Sequence, residues 1–386
     1  MSRERIIYFD NAATSWPKPE DVYTAAESYL RYAGANPGRS GHTRAIHADR
    51  LIFETRQRAA LILGADEPEE IVFTLNATDS LNMAIKGILE PGDHVIYTSL
   101  EHNSVLRPLG TLRENGVITS TMIYCDPTGA LELKDIEKAL RPNTKLIVCT
   151  HASNVIGTVL PVREISNLAW EKGIFFLLDA AQTAGSIPLS LKEIKPHLAA
   201  FTGHKGLLGP PGVGLLYVRK GVKIKPWREG GTGSRSEEER QPEMMPDYLE
   251  AGTMNTPGIV GLNRGLKFLE KTGISRIAQY ESALVRKLRE GLKEIRRVKV
   301  FGPKDEQQSV AVVSFNVEGI DSGELGYVLE EGYGILCRTG LHCAPCAHRT
   351  IGTFPQGTVR FSLGYFNTEE EVEHALRALR EITSRF

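Results

Sequence analysis

Between residues 71 and 218, seven short apolar runs alternate with stretches of helical character, and this alternation restricts the fold more than any other feature of the chain. The runs cover 71–73, 95–98, 121–124, 146–150, 174–178, 199–201 and 213–218, with helices predicted near 79–88, 103–115, 132–140 and 162–172. Strands that alternate with helices predict an α/β sandwich, a mainly parallel seven-stranded sheet covered by helices on both faces. In such sheets ligands sit outside the carboxyl ends of the strands. His102, Asn154, Asp179 and Lys205 all fall just past predicted strand ends, so they are expected to converge on one edge.

The flanking segments read differently. Asp10-Asn11-Ala12-Ala13-Thr14 and the prolines at 17 and 19 form an irregular opening before a helix at about 20–32, followed by a loop at 36–41 and a helix at 43–63. From about 221 to 257 the chain is rich in glycine, charge and proline and reads as a long exposed loop. Helices near 258–271, 274–293 and 321–331, strands at 298–301, 310–316, 334–338 and 358–362, and a last helix capped by Thr368 and Glu371 form a smaller α+β unit. At 386 residues the chain exceeds the roughly 250–300 that one core usually serves. The expected division is an N-terminal segment 1–20 packing with the small domain, a large domain 21–256 and a small domain 257–386. A formal net charge of −1 without a basic run gives no footprint for nucleic acid, and no apolar run is long enough for a bilayer. The opening MSRERIIYFD lacks the apolar core of a secretory signal, and five scattered cysteines do not form a disulfide framework. A reducing, cytoplasmic setting is the expectation.

Lys205 stands on a turn, Thr202-Gly203-His204-Lys205-Gly206, between two apolar runs. A lysine there is costly to enclose unless its amine has a partner, although a surface lysine on a Gly-rich turn is the plain alternative. Asp179, at the end of another apolar run, shifts the balance, because a Schiff-base lysine and an aspartate facing a pyridine nitrogen are the protein's share of pyridoxal 5'-phosphate (PLP) chemistry. The turn at Asn76-Ala77-Thr78-Asp79, between strand and helix, offers N–H groups at Ala77 and Thr78 and a hydroxyl to a phosphate, or is an ordinary cap. Thr202 and His204 are further phosphate candidates, His102 a ring-stacking and proton-moving candidate, and Gln182 a donor to a phenolate oxygen.

A second cluster runs from Cys337 to His348 and holds three cysteines, two histidines and Arg338, with Arg360 following. A zinc site is one reading, but Cys343, Cys346, His342 and His348 are crowded within seven positions, which makes tetrahedral ligation awkward. A nucleophilic cysteine on a flexible loop, its thiolate favoured by cations such as Arg338 or Arg360, is the other. No metal site is assigned.

Taken together, these pieces resemble the PLP-dependent cysteine desulfurases and selenocysteine lyase-like proteins of the class V aminotransferase group. The marks are Asp10 to Thr14, Asn76 to Asp79, Glu101-His102-Asn103, Ser153 to Gly157, Asp179 with Gln182, Thr202 to Lys205, Glu250 to Pro257, and Arg338 through Cys343 to Arg360. The resemblance spans essentially the whole chain and implies a PLP-dependent transferase of fold type I. It implies Lys205 as the lysine that carries PLP, Asp179 as the pyridine-nitrogen partner, His102 as the stacking residue and Gln182 as the phenolate donor. Thr78, Thr202 and His204 match phosphate contacts, and Thr253 matches a threonine lent to the neighbouring subunit of a homodimer. Arg360, with Asn154 and Arg338, matches the binding of substrate carboxylate, and Cys343 the cysteine that accepts sulfur as a persulfide when L-cysteine becomes L-alanine. A sulfur-acceptor protein is an implied partner. The short interval between Cys343 and Arg360 resembles the subgroup that also acts on selenocysteine, so a selenocysteine or related amino-acid lyase is the second reading; a non-catalytic scaffold of the same fold is a third. Cys337, Cys346, His342 and His348 depart from the family pattern, as does Ala77 where many members carry threonine.

Overall fold

The computed structural model describes residues 6–38, 41–303, 305 and 308–385; Arg39 and Ser40 of the loop predicted at 36–41 lie outside the described residues. The chain opens with a two-residue strand, β1 (Ile7–Tyr8). Next come β2 (Ile71–Thr74), β3 (His94–Thr98), β4 (Thr119–Ile123), β5 (Thr144–Thr150), β6 (Phe175–Asp179), β7 (Leu198–Thr202) and β8 (Gly214–Val218), which form one seven-stranded sheet in the order β2-β8-β7-β6-β5-β3-β4. All neighbours from β7 to β4 are parallel, and β8 alone is reversed, antiparallel to both β7 and β2. The mainly parallel sheet expected from the apolar runs is therefore present.

Both faces of the central strands are buried, which is why β5, β6 and β7 are mostly apolar along their length, whereas the edge strand β4 is Thr-Ser-Thr-Met-Ile and only partly covered. Along β5, Leu146 and Val148 join Val95 and Leu177 in one core, while Ile147 and Cys149 join Ile96 and Phe176 in the other. Side chains of successive residues point to opposite faces, so one run fills two cores. The helix Thr43–Leu63 has the predicted bounds, turns Ala48, Ile52, Ala59 and Leu63 inward and stops at Gly64, whose φ of 72° is left-handed. His42 is its cap, its Nδ1 accepting from the Ala45 N–H at 3.2 Å, so the histidine singled out in that loop has a local structural task. The helix predicted at 20–32 is α-helical only over Glu20–Ser28 and widens into a π turn over Tyr29–Ala33 before Gly34.

Strands β9 (Val298–Phe301) and β10 (Val312–Val317), then β11 (Ile335–Leu336), β12 (Arg338–Gly340) and β13 (Thr358–Ser362), belong to the C-terminal part. Four of them make an antiparallel sheet in the order β12-β13-β10-β9. The single strand expected at 334–338 is instead two. Ile335 and Leu336 pair in parallel with Ile7 and Tyr8, and after Cys337 the chain changes partner, so that Arg338 stands opposite Arg360. Ile7 and Phe9 pack into the same core as Phe315, Phe361 and Leu379 of this C-terminal part.

Residues 221–255 contain no helix or strand, yet they are anchored. Glu250 is buried and takes both Nη atoms of buried Arg56, at 2.7 and 2.9 Å, together with the Phe73 N–H of β2 at 2.6 Å. Removing one member of such a pair leaves a buried charge without compensation. Glu250→Ala is expected to cost about 3–5 kcal/mol, measured as a lower denaturation midpoint; an unchanged midpoint would show that this anchor is dispensable.

Candidate active site

Asp179 ends β6 and Thr202 ends β7, so adjacent parallel strands deliver their last side chains to one edge of the sheet. Asp179 is thus the last residue of its strand rather than the first beyond it. After β7 the chain turns through Gly203-His204-Lys205-Gly206. A Cβ on residue 206 would lie 2.4 Å from the Ala184 carbonyl oxygen, so only glycine lets the turn that carries Lys205 pack this closely against the turn that follows β6. At this edge a cavity of ≈ 290 Å³ is lined by Ala77, Thr78, His102, Asn154, Asp179, Gln182, Thr202, His204, Lys205, Arg338 and Arg360. Of the residues given a catalytic, cofactor or substrate role from sequence, Cys343 and Thr253 lie outside this lining. Cys343 is exposed and tied to the cavity by Arg338, whose Nη2 donates to its Sγ at 3.4 Å. Thr253 is exposed and borders a separate pocket with Phe73, Gly212 and Arg228.

The charges in the cavity shape one another. Enclosure of the Lys205 amine lowers its pKa to about 8, against the opposing pull of Asp179. Burial raises the Asp179 carboxyl, offset by the Ala181 N–H, which donates to Oδ1 at 2.9 Å, and by Lys205. His102 is lowered to about 4, first by burial and then by Lys205, so it is neutral at physiological pH. The Ser104 N–H donates to His102 Nδ1 at 3.1 Å, which assigns the ring proton to Nε2. Gln182 is held by a bond from Nε2 to the Ala12 carbonyl at 3.2 Å.

One end of the cavity suits an anion. The helix Ala77–Ile88 begins here, capped by Asn76, whose Oδ1 accepts from the Asp79 N–H at 3.0 Å, so the first N–H groups of a twelve-residue helix face the site end-on. Thr78 Oγ1 and Ser104 Oγ lie 2.7 Å apart, and Ser104 Oγ is 2.8 Å from His102 Nδ1, a relay that joins this end to the imidazole. Thr202 Oγ1 and His204 Nδ1 are buried without a hydrogen-bond partner among the described residues. An orphaned buried polar atom costs about 1–3 kcal/mol, so two of them at one cavity mark where a ligand's polar atoms belong. Burial, with Lys205 and Lys18, lowers His204 to about 4.

The other end is cationic. Arg360 is fully buried, its Nη2 on Asp10 Oδ1 at 2.6 Å and its Nη1 on the Asn154 carbonyl at 2.9 Å, while its Nε has no partner among the described residues. Burial lowers its pKa and Asp10 raises it. Asn154 spends its Nδ2 on the His342 carbonyl at 2.7 Å, so it steers the cysteine loop as well as lining the cavity. Arg338 and Arg360 face each other across β12 and β13. Like charges directly opposite are unfavourable unless an anion joins them.

Three residues of the site had no role assigned from sequence. Ser104 is signalled only by its place two positions after His102. Asp10 stood in the opening motif without a partner, because the contact with Arg360 spans almost the full chain. Glu101 is wholly buried; Oε1 accepts from Thr98 Oγ1 at 2.6 Å and from the Thr150 N–H at 2.9 Å, and burial raises its pKa to about 8. The histidines near Cys343 are engaged locally, His342 Nε2 with Thr358 Oγ1 at 3.0 Å and His348 Nδ1 with Thr353 Oγ1 at 2.7 Å.

Comparison with known structures defines the class. The apo structure of a cysteine desulfurase from Thermococcus onnurineus NA1 superposes with a TM-score of 0.93 at 35% identity, covering 99% of this chain and 95% of that one. The architecture is the PLP-dependent fold type I, a large domain on a mainly parallel sheet with a smaller α+β C-terminal domain. A probable cysteine desulfurase of Pyrococcus abyssi is 37% identical over 390 residues, covering 98% of this chain and 94% of its own. Another, of Methanothermobacter thermautotrophicus, is 34% identical over 382 residues, covering 97% of this chain and 94% of its own. Residues 7–375 match the Aminotransferase class-V family, and the chain belongs to it. Membership implies PLP as the cofactor, and the cavity fits it: an anion site with two orphaned polar atoms at one end, and a lysine beside a buried carboxylate.

The Lys205 value sets a test. In cofactor-free protein its amine is expected to acylate with a midpoint near pH 8, below the surface lysines, and lower still in Asp179→Asn, where the carboxylate no longer holds the proton on. The same depression means that this group's contribution to stability rises as pH climbs from about 8 towards 10.5. Competitive labelling read by peptide mass spectrometry checks the midpoint; equality with the surface lysines would contradict it.

Proposed function

We propose that the chain is a PLP-dependent cysteine desulfurase that converts L-cysteine to L-alanine and takes the sulfur onto Cys343 as a persulfide. The observation that carries this reading is the Arg338 contact: a guanidinium lining the cavity beside Arg360 also bonds the sulfur of an exposed cysteine, at 3.4 Å. The cysteine desulfurases that match nearly the full chain support it.

In this reading Ala77, Thr78, Thr202 and His204 would hold the phosphate, Asp179 would keep the pyridine nitrogen protonated, Gln182 would donate to the phenolate oxygen and His102 would stack on the ring. When bound, PLP supplies the electron sink for the pair left on the substrate Cα. Lys205 takes the α proton and later returns it; with a pKa of about 8 roughly one amine in ten is free at pH 7 before the cofactor attaches. Arg360 fixes the substrate carboxylate, which orients the bond to be broken. The Cys343 sulfur attacks the substrate sulfur, the C–S bond breaks, and Arg338 meets the negative charge involved. Thr253, exposed on its loop, completes the phosphate site of the partner subunit in a homodimer, and an acceptor protein collects sulfur from Cys343 in the cytoplasm.

Holoenzyme given L-cysteine is expected to yield alanine and one added sulfur on Cys343, located by peptide mass spectrometry. Arg360→Lys keeps the charge and loses the fork, and should lower kcat/KM by about 10- to 100-fold, from a charged hydrogen bond worth about 1.5–3 kcal/mol. Cys343→Ala should lose alanine formation from L-cysteine; full retention would sink the persulfide route and favour a selenocysteine or related lyase.

A further inference from the structure

The five cysteines divide by environment. Cys125 and Cys149 are buried in the large-domain core, where burial pushes the first thiol up to about 12 and the second well above its ordinary value. Cys337 packs against the small-domain core and is likewise pushed up to about 12 by burial. Among the described residues, only Cys343 and Cys346 carry a guanidinium donor at sulfur. Arg338 Nη2 reaches Cys343 Sγ at 3.4 Å, and Arg349 Nη1 reaches Cys346 Sγ at 4.0 Å. Cys343 is exposed and Cys346 half-buried. The two stand as Cys343-Ala344-Pro345-Cys346, a Cys-x-x-Cys spacing that keeps a pair of thiols within reach of thiol–disulfide exchange. The Ala344 N–H closes a turn onto the Leu341 carbonyl at 2.9 Å, and the backbone turns helical at Pro345, so Cys343 lies within that turn and Cys346 stands in the first turn of the helix that follows. The proposed desulfurase chemistry uses Cys343 and leaves Cys346 without a task.

We infer that Cys346 is a resolving thiol that gives the site a second activity, release of free sulfide with formation of a Cys343–Cys346 disulfide. The inference rests on the persulfide reading of Cys343. The Cys346 thiolate attacks the inner sulfur of the Cys343 persulfide; the new S–S bond joins the two protein sulfurs, the old one breaks, and the outer sulfur leaves with the electron pair as hydrosulfide. Atoms and electrons balance without an added oxidant, because the sulfur taken from the substrate arrives already at the sulfane level. Arg349 meets charge on the attacking sulfur, and Arg338 stands at the sulfur under attack. An external dithiol then reduces the disulfide and resets both thiols. The partner this implies is a small dithiol or a dithiol protein acting as reductant, in addition to any acceptor of intact sulfane sulfur.

The test uses holoenzyme and L-cysteine without reductant, quenched with an alkylating agent after the first turnover. The expected result is free sulfide equal to alanine, with the peptides of Cys343 and Cys346 joined by a disulfide. In Cys346→Ser, and separately in Cys346→Ala, the added sulfur should remain on Cys343. At sub-millimolar dithiol their sulfide release should fall at least about tenfold, because the tethered thiol acts at an effective concentration in the millimolar range. Wild-type protein that keeps a persulfide on Cys343 with no disulfide would overturn the inference, and so would sulfane sulfur found on Cys346, which would make that residue a relay. A parallel arm loads the holoenzyme with inorganic polysulfide, bypassing the amino-acid substrate. A disulfide there with no alanine from L-cysteine would sink the desulfurase reading alone; no disulfide there, with alanine formed normally, would sink the resolving role alone.

Discussion

The Arg360–Asp10 pair is the contact on which the site's geometry depends. Asp10 follows β1, which is held to the small domain through β11, and its backbone bridges to Ser362 of β13. Arg360 stands on β13, and its second Nη reaches across to the Asn154 carbonyl beyond β5 of the large sheet. One guanidinium thereby joins the amino-terminal segment, the small sheet and the large domain. A buried ion pair of this kind is weak evidence for stability, since desolvation offsets most of the Coulomb gain, but its geometry is narrow. Losing Asp10 would leave Arg360 buried and free to swing away from the carboxylate it is proposed to bind. The bridging contact also passes its alignment onward, because Asn154 Nδ2 holds the His342 carbonyl, one residue before Cys343.

Proton states in the cavity follow from the same low-dielectric enclosure. Burial lowers Lys205 and His102 and raises Asp179 and Glu101, so the charged forms are all disfavoured until partners restore them. Lys205 and Asp179 restore each other in part, which leaves the amine close to the pH at which it can act as base. His102 gains no anionic partner among the described residues and stays neutral. Glu101 keeps its place by accepting from Thr98 and Thr150, tying the ends of β3 and β5 together beneath the site. A carboxyl raised to about 8 can do this with little charge, so it stiffens the strand ends without opposing Asp179 by a full charge.

The large sheet was legible in the sequence because strands buried on both faces must be apolar at successive positions, and that pattern survives without knowledge of their order. Lys205, Asp179, His102 and the Asn76 turn were legible for the same reason, as each follows the end of such a run. Contacts that depend on distant pairing were not. Nothing local to 334–340 says that the chain leaves β1 for β13 at Cys337, and that change of partner is what sets Arg338 opposite Arg360. Ser104 and Glu101 act through hydrogen bonds between loops, and polar residues near a helix start look alike whether they cap or relay. Thr253 lies outside the cavity of its own chain, so the role proposed for it depends on a second subunit.

The cysteine loop shows what fixed backbone strain can accomplish. His342 and Cys343 both have positive φ, 47° and 59°, a conformation that costs non-glycine residues about 1–2 kcal/mol each. The surrounding bonds offset this. His342 Nε2 meets Thr358, its carbonyl takes Asn154, and the Cys343 carbonyl accepts from the Asn103 N–H at 2.8 Å, directly after His102. Two left-handed residues in succession turn the Cys343 side chain outward to Arg338 while its backbone stays pinned to the helix that His102 caps. The loop is therefore anchored at the backbone and exposed only at sulfur. The same anchoring engages His342 and His348 with threonine hydroxyls. The sulfur chemistry proposed for the loop is left to thiols and guanidinium groups, in a segment that crowds four potential metal ligands within seven positions.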